Sequence, residues 1–134
     1  MRLLKTALAA AVALVAIVGP ASAARADAPG ATLYLTWSAP TVSYQVFSVT
    51  LTCFPSGGGE EAYFDADLAC SAISAAGGDF TALPGWPFVG CTGYSGWAIR
   101  TTATGTWLGR SVAYDRTHAN ICEARRATGW VFLF

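Results

Sequence analysis

The chain has 134 residues, of which 54% are apolar and only 12% charged, and eight basic side chains balance eight acidic ones. Without a basic excess, there is no electrostatic footprint for nucleic acid or anionic lipid. The length suits one domain with a modest core rather than a multidomain enzyme.

The apolar residues are unevenly spread. Arg2 and Lys5 precede the uncharged run 6–18, Gly19-Pro20 breaks it, and Ala21-Ser22-Ala23 supplies a small-x-small exit. A basic end, a short apolar middle and a small-residue cleavage site make residues 1–23 a secretory signal peptide. The run also falls short of the roughly 18–20 residues a membrane-spanning helix needs. Ala24-Arg25-Ala26 offers a second cleavage site. The domain is then 24–134, an exported, extracellular unit rather than a membrane protein. Losing Arg2 and Lys5 leaves it mildly acidic and without lysine, since Lys5 is the only one.

In the domain, Asp27–Gly30 is a loose lead. Ala31–Trp37 alternates as a strand with Leu33, Leu35 and Trp37 on one face. Val42–Cys53 is a longer β-branched and aromatic run whose alternation slips near Phe47, which predicts a bulge. Pro55–Gly59 is a loop. From Asp65 to Ala76 the apolar spacing of three and four predicts a helix, with Asp65 as its cap and Gly77 as its stop. Thr81–Cys91, with Pro84-Gly85 and Pro87, is irregular. Strand character returns at Trp97–Thr101, a turn is expected at Thr104-Gly105, and a further strand at Trp107–Arg116. Asn120–Ala127 is a short helix ahead of Gly129, and Trp130–Phe134 a closing strand. These elements make an α+β fold, an antiparallel sheet with helices against it.

Cys53, Cys70, Cys91 and Cys122 all fall in the exported part. An even count there predicts two disulfides, with three connectivities open. Zinc is the weaker use, because there is no C-x-x-C pair and His118 is the only histidine. Chemistry for catalysis is thin. Gly93-Tyr94-Ser95-Gly96-Trp97 fails as a nucleophile elbow because Trp97 stands where glycine is required. His118 lacks convergent partners and reads as a structural residue. Glu60-Glu61 is a solvated tip, and Asp65 and Asp67 suit the positive end of a helix. Neither a cofactor cradle nor a metal-ligand cluster is evident, and the chain does not read as an enzyme.

Four ordered blocks do carry a pattern: Thr50-Leu51-Thr52-Cys53-Phe54-Pro55; Ala69-Cys70 with Ala76–Leu83; Gly105–Arg116; and Asn120-Ile121-Cys122-Glu123, before the aromatic ending Val131–Phe134. Together they resemble the Streptomyces subtilisin inhibitor family from about Leu33 to Phe134. The resemblance implies a secreted proteinaceous inhibitor of subtilisin-like serine endopeptidases, typically a homodimer. It implies a five-stranded antiparallel sheet with two helices and the pairing Cys53–Cys70 and Cys91–Cys122. The second bridge would tether a substrate-like loop of Cys91, Thr92, Gly93, Tyr94 and Ser95. The reactive bond follows the second residue after the third cysteine, here Gly93–Tyr94, and Asn120 matches an asparagine that braces the loop.

Such a loop is expected to be extended, pairing with the enzyme as a substrate strand does, and held ready-made so that docking costs little entropy. Two departures bear on this. Glycine at P1 offers no side chain to an S1 pocket, and the stretch from Cys91 to Cys122 is about one residue longer than usual. If that residue precedes the scissile bond, Tyr94–Ser95 becomes the alternative bond. Five tryptophans and five tyrosines also support a second reading: a non-inhibitory secreted module that binds a glycan or a protein. It requires rings aligned on an exposed sheet face, and the exposure of Trp86 and Trp97 discriminates.

Overall fold

The computed structural model describes residues 30–59 and 64–134. The signal segment, the Asp27 lead and Glu60-Glu61 lie outside the described residues. Four strands, β1 (Ala31–Ser38), β2 (Val46–Cys53), β3 (Ile99–Trp107) and β4 (Arg110–His118), form an antiparallel sheet in the order β2-β1-β3-β4. Two helices, α1 (Ala66–Ala75) and α2 (Ile121–Thr128), complete the α+β fold with two short 3-10 turns.

The alternation in β1 places Ala31, Leu33 and Leu35 on the inner face, each fully buried. Their cross-strand neighbours continue that face: Leu33 lies opposite Leu51, and Leu35 opposite Val49 and Ala103. Ala69, Cys70 and Ile73 of α1 pack here, with Trp107, Tyr114, Val131 and Phe132 completing the core. Asp65 caps α1 by accepting the Leu68 N–H at 3.0 Å. Past the helix, Gly78 N–H returns to the Ile73 carbonyl, the reverse turn expected where glycine follows a helix. The Cys53–Cys70 bridge joins β2 to α1 across this core.

The sheet has four strands among the described residues, not five. The expected fifth, Trp130–Phe134, is instead a 3-10 turn, Gly129–Phe132. Val131 and Phe132 are both buried, which a strand exposing alternate side chains does not achieve. Phe132 lies 6.3 Å from Phe80 and 6.1 Å from Tyr114, ring to ring, sealing the core from below.

Two further expectations fail for local reasons. The bulge near Phe47 is absent, because β1 and β2 pair without interruption from Ser38–Val46 to Ala31–Cys53. The slip in the pattern arises because Val42 and Tyr44 precede the strand, in an exposed connection turned by hydrogen bonds to the Ala39 carbonyl. The β3–β4 turn lies at Leu108-Gly109, not Thr104-Gly105. Both turn residues have positive φ, 47° and 79°, as a two-residue hairpin requires. Gly105 is inside β3, where a Cβ would approach the Thr32 carbonyl oxygen to 2.2 Å. Its glycine serves close backbone approach within the sheet rather than a turn.

Candidate functional site

All five expected loop residues fall in the irregular stretch between Leu83 and β3, at the sheet end where β1 stops and β3 begins. Cys91 is buried, whereas Thr92, Gly93, Tyr94 and Ser95 are exposed. The segment is braced along α2 at three points. Trp86 N–H donates to the Arg126 carbonyl at 2.9 Å, Cys91 is bonded to Cys122, and Asn120 Nδ2 donates to the Tyr94 carbonyl at 3.4 Å. As the loop number rises, the helix number falls, so loop and helix run side by side in opposite directions.

Asn120 has two tasks. Its Oδ1 accepts the Glu123 N–H at 2.9 Å and starts α2, while its Nδ2 holds the loop. The residue is 7% exposed, and a carboxylate there could do the first task only. Disulfide and asparagine therefore grip the exposed segment from opposite sides, Cys91 before it and Tyr94 within it.

The expected fully extended ridge is not formed. Tyr94 N–H donates to the Cys91 carbonyl at 3.1 Å, closing a β-turn, and Gly93 has φ +75°. A positive φ at the third position is the mark of a type II turn and explains glycine there. A Cβ built on Gly93 would meet nothing within 4 Å, so backbone conformation, not crowding, selects this residue. Among the described residues, the Gly93 carbonyl accepts no hydrogen bond, in contrast to that of Tyr94.

The remaining candidates resolve into structural roles. His118 is 6% exposed, its Nε2 lies 3.0 Å from Thr101 Oγ1, and burial holds its pKa below the ordinary value. The hydroxyl it meets, on Thr101, is itself fully buried, so the pair lies inside the protein and is closed to a substrate. Asp115 pairs with Arg100 on the sheet surface through a hydrogen bond of 2.8 Å. Among the described residues, no three His, Cys, Asp or Glu side chains converge to hold a metal ion, and no helix is long and apolar enough to cross a membrane.

The rings are not arrayed on one sheet face, as stacking of a glycan requires. Trp107 is buried, Trp37 stacks on Phe47 at 4.3 Å and donates to the Phe134 carbonyl, and Trp86 packs edge-on against Trp130 at 5.2 Å. Trp97 stands free at 64% exposure. Sequence reasoning missed the role of Trp86 as a backbone anchor, because a main-chain hydrogen bond leaves no signature in side-chain type.

Comparison with known proteins decides the family, since the subtilisin inhibitor-like family matches residues 29–120. The chain belongs to the subtilisin inhibitor-like family. It is 40% identical over 87 residues to subtilisin inhibitor-like protein 2 of Streptomyces rochei, covering 65% of this chain and 74% of that one. It is 38% identical over 87 residues to a subtilase-type protease inhibitor of Streptomyces coelicolor, covering 65% and 58% respectively. Among solved structures, it is similar to Streptomyces caespitosus sermetstatin in complex with Bacillus licheniformis subtilisin. That match has a TM-score of 0.57 and 25% identity, and covers 78% of this chain and 98% of the other. The family is one of protease inhibitors, which are not enzymes.

Proposed function

We propose that this subtilisin inhibitor-like chain is a secreted inhibitor of subtilisin-like serine endopeptidases, acting through the loop Cys91–Ser95 with Gly93–Tyr94 as the reactive bond. The observation that carries this reading is the double brace: an exposed, uncharged turn bonded to α2 through Cys91–Cys122 and held by Asn120 at Tyr94. Bracing limits the entropy lost when the loop docks. The choice of bond rests on the carbonyls. The serine attacks the carbonyl carbon, and the oxygen of that carbonyl must be free to enter the enzyme's oxyanion hole; among the described residues the Gly93 carbonyl is free where that of Tyr94 is not. The relatives named as protease inhibitors and the neighbour bound to subtilisin support the target class.

Residues 1–23 act as the export signal in this reading, and the active species is a homodimer. The outer sheet face supports a dimer: Thr50, Tyr34 and Thr104 lie opposite one another on β2, β1 and β3, and Thr52, Thr32 and Thr106 form the next such row, a regular surface against which a second copy can pack. Sedimentation of the exported protein is expected to give twice the mass of the processed chain, and a single-chain mass would refute the dimer.

Titrating purified protein into subtilisin, chymotrypsin and elastase tests the reading. Stoichiometric loss of subtilisin activity is expected, with slow cleavage that exposes Tyr94 as a new N-terminus. Full enzyme activity at micromolar protein would refute it, and a new N-terminus at Ser95 would move the bond by one residue.

A further inference from the structure

The site lacks the side chain that would fill an S1 pocket, so the affinity must reside elsewhere on the same surface. Two large aromatic rings flank the loop in solvent: Phe88 is 85% exposed and Trp97 is 64% exposed. Neither serves the core. Between Asp79 and Arg100 no charged residue occurs, although a freely solvated loop of that length would ordinarily carry several. Charge depletion with exposed aromatics is the composition of an interface centre, and aromatic side chains dominate interface energetics.

Both rings are rigidly mounted. Phe88 stands at the corner of a turn closed by Val89 N–H to the Trp86 carbonyl, and Trp86 N–H is itself fixed to α2. Trp97 lies two residues ahead of β3, whose first residue, Ile99, pairs with His118. A ring held on such a mount loses little freedom when it is buried by a partner.

Resting on the inhibitor reading above, we propose that Phe88 and Trp97 are the principal anchors for the protease. They bind apolar subsites on the two sides of the scissile bond, while the S1 pocket opposite Gly93 stays unfilled. The preferred target is then a serine protease whose cleft is apolar and uncharged well beyond S1, largely irrespective of the side chain its S1 pocket favours.

The test is the inhibition constant against subtilisin for the wild type, Phe88→Ala, Trp97→Ala and Trp97→Phe, with thermal unfolding of each. Leu108→Asn, at the opposite end of the sheet, is the control. Each alanine variant is expected to weaken inhibition by about 10- to 100-fold at an unchanged unfolding midpoint, with Trp97→Phe recovering most of the loss and Leu108→Asn unchanged. Alanine variants within about threefold of the wild type would overturn the anchor assignment and leave the inhibitor reading standing. Weakening that tracks a lowered midpoint would also overturn it, in favour of a structural role. A wild type that does not inhibit removes both.

Discussion

The two disulfides close comparable loops, with sequence separations of 17 and 31 and the same Cα–Cα distance of 5.8 Å, yet they sit in opposite surroundings. Cys53–Cys70 is inside the core, between β2 and α1, with both ends buried. Cys91–Cys122 joins an irregular segment to the first turn of α2, outside the main apolar cluster. Restriction of the unfolded chain stabilises about equally in the two cases, by roughly 3 kcal/mol each. What differs is what the folded state loses with the bridge. Removing the first opens a gap in packed structure; removing the second frees a displayed segment and leaves the packing intact.

That contrast can be broken experimentally. The largest effect is expected from replacing Cys53 and Cys70 together by alanine: more than about 3 kcal/mol of stability lost in denaturant unfolding, with any molecules still folded inhibiting normally. Replacing Cys91 and Cys122 by alanine should cost about 3 kcal/mol at most and leave the near-ultraviolet spectrum of the core unchanged. Inhibition should nevertheless collapse, with the protein digested as an ordinary substrate. If both pairs lowered inhibition only in proportion to unfolding, the division between core bridge and loop bridge would be wrong.

Asn120 sharpens the comparison at a single side chain. Asn120→Asp keeps the oxygen that caps α2 and loses the donor to Tyr94, so stability should change by less than about 1 kcal/mol while inhibition weakens by roughly tenfold, the effect of a lost hydrogen bond to a loop carbonyl. Asn120→Ala should cost about 1 kcal/mol more through the missing cap. Equal inhibition by the aspartate variant and the wild type would show that the disulfide alone sets the loop.

The smallest effect concerns His118, buried at the end of β4 opposite Ile99. Burial lowers its pKa, with Arg116 adding to the shift and Glu123 opposing it. The unfolded chain therefore takes up the proton first as pH falls through 6.5, so stability is full above that pH and declines below it. Asp79 and Asp115 titrate below 3.8, held down by the Thr81 hydroxyl and by Arg100 respectively, so the window between pH 5 and 6.5 isolates the histidine. The unfolding midpoint should fall across that window in the wild type and stay flatter in His118→Gln.

The regular core was legible in the sequence wherever one element buried one face. Leu33 and Leu35 alternate because β1 is central and half-buried, and α1 carries its own cap and stop in Asp65 and Gly77. Legibility ended where tertiary contact overrode local preference. Gly105 looks like a turn residue until the Thr32 carbonyl is placed against it. Leu108 occupies a left-handed position that the sequence rule reserves for asparagine or glycine. The aromatic ending resembles a strand but is drawn into a tight turn by burial of two consecutive side chains. At the loop, cysteine spacing and Asn120 were visible, but the turn at Gly93 was not, because an isolated glycine between Thr92 and Tyr94 specifies freedom rather than a particular φ.

The antiparallel seating of the loop on α2 has a consequence for the life of the cut molecule. Severing the Gly93–Tyr94 bond divides the chain into one piece carrying β1, β2 and α1 and another carrying β3, β4 and α2. The only covalent link between them is then Cys91–Cys122, while the central β1–β3 pairing runs across the divide for its whole length. The nicked protein is thus a pair of complementing fragments sharing one sheet. It should migrate as one species until reduced, and after reduction its two halves should still find each other.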